Sequence, residues 1–124
     1  MAGALTISTL NNDTGVLATQ NGMTGIAKAW VNFNGTGTVA IRGSFNVSSI
    51  TDNGTGDYTI NFTTAMPNAN YVIAGSANQG IGNFGLIVNF PYTSSPTTNA
   101  ARIATGTPSS LIDCAFVSVS VFSS

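Results

Sequence analysis

The sequence predicts an all-β domain, an antiparallel β-sandwich or jelly-roll-like fold, and three observations carry that expectation. Apolar residues alternate in successive runs: Val31 and Phe33, then Val39, Ile41 and Phe45, then Tyr58, Ile60 and Phe62. A period of two belongs to a strand with one buried face. Asn34-Gly35-Thr36-Gly37 separates the first two runs and Asn53-Gly54-Thr55-Gly56 the next two. Asn and Gly tolerate positive φ, so both are hairpin signals. The third observation is spacing, with about eight short strand-like runs punctuated by turn residues and no long helical pattern. The central stretch from Lys28 to Phe62 reads as a three-stranded antiparallel meander that flows into a Greek key.

Taken in order, Leu5, Ile7 and Thr9 alternate and fit a short strand or extended arm. Asn11 to Gly15 is a turn, and Val16 to Gln20 reads as a short helix before Gly22 and Gly25 interrupt the pattern. Residues 1–25 are therefore assigned to an N-terminal arm and attachment segment, and 26–124 to the β-sandwich domain. After the meander, Ala65 to Asn70 is a loop, because Pro67 and two asparagines break both regular patterns. Tyr71 to Ala77 and Phe84 to Phe90 are strands, with Asn78 to Asn83 a polar loop between them. Pro91 to Asn99 is the longest polar stretch, Arg102 to Thr105 a short strand and Gly106 to Ser110 a turn. In the last run Ala115, Val117, Val119 and Val121 share one face, while Cys114, Phe116 and Phe122 share the other. Apolar groups on both faces predict a central strand, or one covered on its second face by a partner chain.

A chain of 124 residues makes at most one domain and buries roughly two thirds of its unfolded surface. Only 6% of residues are charged, the formal net charge is −1 and 43% are hydrophobic. The chain should fold, and it has no basic patch for phosphates or anionic membrane, so neither nucleic acid nor membrane insertion is expected. A charge-poor surface invites association. With no histidine, Ser-His-Asp and Cys-His arrangements and imidazole metal sites are excluded. The one cysteine, Cys114, reads as a small buried hydrophobe, and no cofactor or metal is expected. No basic flank precedes an apolar core at the N-terminus, and no run approaches about 20 apolar residues. Asn12, Asn34, Asn46, Asn53 and Asn61 each begin a sequon, which a chain rich in Asn and Thr produces by chance.

The stretch KAWVNFNGTGTVAIRGSFNVSSITDNGTGDYTINF, continuing through TTAMPNANYVI, closely resembles a module of tailed-bacteriophage and prophage tail-fibre or virion appendage proteins. The resemblance covers residues 26–73 and rests on Trp30, the paired NGTG turns and NVSS. The C-terminal half is similar only in style. The resemblance implies a compact β domain near a fibre end, acting as a homotrimer in the virion, made in the host bacterial cytoplasm and contacting the host surface without catalysis. Family members often carry a long repetitive shaft ahead of the module, which this sequence lacks. The alternative is therefore a capsid decoration or head-fibre protein attached to other virion proteins through its N-terminal arm.

Loops on rigid sandwiches are common binding sites, so Asn78, Gln79, Asn83, Tyr92, Thr93 and Asn99 are receptor-binding candidates, for a host glycan or protein. Trp30, Phe33, Phe45, Phe62 and Phe116 are core or subunit-interface candidates, with Trp30 also a candidate sugar-stacking platform. Lys28, Arg42 and Asp57 are expected to pair locally or to touch a receptor. Asp52, Asp57 and Asp113 are candidates for the carboxylate pair that glycoside hydrolysis requires, but turn hydrogen bonding is the expected role of Asp52 and Asp57.

Overall fold

A computed structural model gives the fold and describes residues 3–12, 15–18, 24–80, 86–90 and 94–124. Strands β1 (Thr9–Asn12) and β2 (Gly15–Ala18) pair as a separate hairpin, Asn12 opposite Gly15. The short helix expected from Val16 is thus replaced by a strand through Ala18. One turn of helix is costly to nucleate, while a neighbouring strand offers Val16 and Leu17 immediate backbone partners. Residues 19–20 lie outside the described residues.

The remaining strands form two packed antiparallel sheets. The first has the order β4 (Ala40–Phe45), β3 (Ala29–Asn34), β11 (Phe116–Phe122), β7 (Val72–Asn78). The second has the order β5 (Val47–Gly54), β6 (Asp57–Phe62), β9 (Ala100–Thr107), with β8 (Ile87–Asn89) and the two-residue β10 (Ser110–Leu111) also paired to β9. This is the all-β sandwich that the alternation predicts.

The central strands keep the period of two. Ala29, Val31 and Phe33 from β3 meet Tyr58, Ile60 and Phe62 from β6, Ala101 and Ile103 from β9, and Val117, Val119 and Val121 from β11, all buried. Phe33 and Tyr58 pack edge to face with centroids 5.2 Å apart, as do Phe62 and Tyr71 at 5.8 Å. Each such pair adds about 1 kcal/mol beyond its buried area.

The predicted meander is two hairpins in opposite sheets. β3 pairs with β4, and β5 pairs with β6. Between them Asn46 adopts φ 54°, a left-handed conformation that asparagine tolerates. Its amide Nδ2 donates to Lys28 O and to Thr64 O, both at 3.0 Å, and its Oδ1 accepts from Thr64 N at 2.7 Å. That corner carries the chain from one sheet to the other.

The two NGTG copies also fold differently. In the second, Gly54 ends β5 and the turn is Thr55–Gly56, with Gly56 at φ 62°. In the first, Asn34 Oδ1 accepts from Thr36 N at 3.0 Å, and Gly35 N donates to Cys114 O at 2.8 Å. A Cβ on Gly35 would collide with the Tyr58 hydroxyl, so close approach of another segment, and not turn geometry alone, requires that glycine.

Candidate binding face

The sandwich has two outer faces of different chemistry. Over β5, β6 and β9 the second sheet's face is polar and satisfied within itself, while Ile87 and Leu111 are exposed on β8 and β10. Asn61 Nδ2 donates to Ser49 Oγ at 3.0 Å and Thr51 Oγ1 at 2.9 Å, and Asn53 Nδ2 donates to Thr59 Oγ1 at 2.8 Å. Arg102 Nε donates to Asp57 Oδ1 at 2.8 Å and its Nη2 to Oδ2 at 2.5 Å, a bidentate pair. The guanidinium holds the Asp57 carboxyl below its ordinary value.

The first sheet shows aromatics instead. Trp30 is 44% exposed, Phe45 54% and Phe116 51%. Phe33 and Phe62 are core, as their alternation implies, but these other three are not. For Phe45 the reason is a register shift between Asn32 and Phe33, which pair with Gly43 and Ile41 and leave Arg42 as the extra residue. A bulge reverses the facing of every later side chain in its strand, so Ile41 lies opposite buried Phe33 while Phe45 lies opposite Trp30. Arg42 turns along the surface, its Nη2 donating to Ala115 O at 2.6 Å and its Cζ 4.5 Å above the Phe116 ring.

Between these aromatics the face is lined by small side chains. Cross-strand rows read Phe45, Trp30, Ser120, Ala74 and then Gly43, Asn32, Ser118, Ser76. A cleft of about 370 Å³ runs over Ser118 and Ser120, between Trp30 and β7. Asn32 Nδ2 donates to Ser118 Oγ at 2.7 Å, and Ser120 Oγ lies 3.4 Å from Ala74 O. A Cβ on Gly43 would stand 3.5 Å from Trp30 Cζ3, so the indole lies over a bare stretch of backbone.

A second cleft, about 470 Å³, opens beside β8, β9 and β10, with Ile87, Phe90 and Leu111 among its walls. Its ionisable member, Asp57, is the one engaged by Arg102.

The loop candidates do not form one site. Asn78 lies opposite Phe116, at the end of the sandwich that carries Gly35 and Cys114, and its Oδ1 accepts from Gly80 N at 2.6 Å. Gln79 comes next in the chain and is exposed. Asn99 is at the other end, where its carbonyl accepts from Phe62 N at 2.9 Å. Asn83, Tyr92 and Thr93 lie outside the described residues.

The carboxylates serve structure. Gly54 N donates to Asp52 Oδ1 at 3.0 Å. Asp113 Oδ1 accepts from Gly56 N at 2.8 Å and lies 2.8 Å from the Tyr58 hydroxyl, which is equally close to Gly35 O. The single phenolic proton is thus offered to two acceptors. Burial, followed by the hydrogen bond to Asp113, raises the Tyr58 pKa far above its ordinary value. Cys114 is buried beside this network, and burial raises its thiol pKa too. Among the described residues no group of three or more His, Cys, Asp or Glu is arranged to hold a metal, and no helix is long and apolar enough to cross a membrane.

Asn32, Ser118 and Ser76 reach this face from strands far apart in the chain, so no local pattern announced them. Compared with family models, curated proteins and solved structures, the chain has no match.

Proposed function

We propose that this chain is a non-enzymatic structural module of a tailed-phage virion, a tail-fibre or fibre-tip β domain that contacts the host surface. The observation that carries this reading is the contrast between the outer faces. Over β5 and β6 one is closed on itself by polar side chains, with exposed apolar residues confined to β8 and β10, and the other presents Trp30, Phe45 and Phe116 on rigid strands. Exposed aromatics on a fixed scaffold suit recognition. The resemblance of residues 26–73 to virion appendage modules supports the same reading and adds assembly in three copies. The arm, with Leu5 84% exposed, is the proposed attachment to other virion proteins.

The carboxylates support a binding role over hydrolysis. Asp57 and Asp113 are each held by hydrogen bonds that position turns and strands, whereas a glycosidase needs one of its pair free to act as an acid.

Cryo-EM of the virion with this chain traced, together with adsorption competition by the purified protein, tests the proposal. Copies at the far end of a tail appendage and competition for host cells are expected. Absence from virions, or no competition, would overturn it. The separate β1–β2 hairpin favours one other reading, a capsid decoration or head-fibre protein, and density on the capsid shell would select that.

A further inference from the structure

We propose that the cleft over Ser118 and Ser120, beside Trp30, binds a neutral pyranose oligosaccharide. This inference rests on the host-contact reading of the same face and names the chemistry of what it meets.

The lining chemistry decides the class. A pyranose ring has one face of C–H groups and a rim of hydroxyls, so its binding site needs an aromatic plane beside donors and acceptors. Trp30 supplies the plane, half-exposed and lying over Gly43. The floor supplies both polarities. Ser118 Oγ accepts from Asn32 Nδ2, which leaves its own proton to donate, and Ser120 Oγ, directed at Ala74 O, keeps its lone pairs to accept. None of the lining side chains is ionisable, so nothing in the cleft would compensate a uronate, sialate or phosphate for lost hydration. Arg42 stands at the margin of the cleft, its guanidinium engaged by Ala115 O, by the Phe116 ring and, through Nη1 at 3.5 Å, by Asn32 Oδ1.

The polar floor argues against a second copy of the chain. An apolar sheet face laid here would bury the Ser118 and Ser120 hydroxyls beside side chains that cannot partner them. Along β11 the lining runs from Ser118 to Ser120, two residue steps or about 7 Å, room for one ring of a longer sugar chain.

The chain has a single tryptophan, so its fluorescence reports this cleft. Purified protein would be titrated with neutral trisaccharides of glucose, mannose, galactose and N-acetylglucosamine, and with oligogalacturonate as the anionic comparison. A saturable change with at least one neutral series and none with oligogalacturonate is expected. Calorimetry should then show binding about tenfold weaker in Ser118→Val, lost in Trp30→Ala, and unchanged in Thr59→Val on the opposite face. Ser120→Ala replaces Ser118→Val if circular dichroism shows the latter misfolded. Three results would overturn the proposal: no response to any neutral sugar at millimolar concentration, an equal response to oligogalacturonate, or an emission shift that tracks protein concentration alone, which would place a second copy over Trp30. Sugar binding by a protein missing from virions would sink the host-contact reading and leave this inference standing.

Discussion

Tyr58 reaches from the second sheet to the turn of the first, and its hydroxyl ties Gly35 O to Asp113 inside a protein-lined site. Tyr58→Phe keeps the ring against Phe33 but strips an acceptor of its donor, and should cost about 1 to 3 kcal/mol in urea denaturation. Because its folded pKa is raised, the folded chain holds that proton more tightly than the unfolded one. The corresponding stability is complete below pH about 10 and declines above it. Asp57 has the opposite sign. Arg102 lowers its folded pKa below 3.8, so its contribution is complete above the ordinary carboxylate range and is lost as pH falls through the folded value. A thermal-melt series should therefore show a loss of stability on acidification below pH about 4 that Asp57→Asn flattens. Asn46 combines positive φ with three side-chain hydrogen bonds. Asn46→Ala should cost about 2 to 3 kcal/mol by chemical denaturation, and Asn46→Gly, which keeps the backbone at ease, should cost less.

At the level of strands, β3, β6 and β11 were legible because each buries one face without interruption. Phe33→Ala or Phe62→Ala should accordingly lose about 3 to 5 kcal/mol of unfolding free energy, and a loss under 1 kcal/mol would contradict their place in the core. β5 was hidden, since Val47 and Ile50 are its only large apolar residues and register shifts flank the strand at both ends. β4 misled for a related reason, as a bulge at Arg42 moves Phe45 to the outside while its spacing from Ile41 stays even. Deleting Arg42 removes the extra residue and leaves Gly43 opposite Asn32, Ser44 opposite Val31 and Phe45 opposite Trp30, still on the outside. The change should cost about 1 kcal/mol, from the hydrogen bond to Ala115 O and the contact with the Phe116 ring, and leave the emission of Trp30 unshifted. The repeated NGTG spelling signalled two turns correctly and their shapes not at all, because Cys114 and Tyr58 decide the first of them from a distance.

For the molecule as a whole, the aromatic candidates could be named in the sequence but their grouping could not. The bond from Asn32 to Ser118 joins residues 86 apart, and only assembly of β3, β11 and β7 side by side creates the cleft. The same connectivity makes folding non-local, so refolding after dilution from urea should take milliseconds to seconds and not microseconds. β11 also lies between β3 and β7 with hydrogen bonds along both of its edges. A chain severed in the link from Ile112 to Ala115 would retain a slot with two waiting rails, and the matching peptide, residues 115–124, would carry Val117, Val119 and Val121 back into a vacancy of their own shape. The domain is in that sense divisible: complementation between two fragments, each silent alone, would turn the central strand into a detachable key.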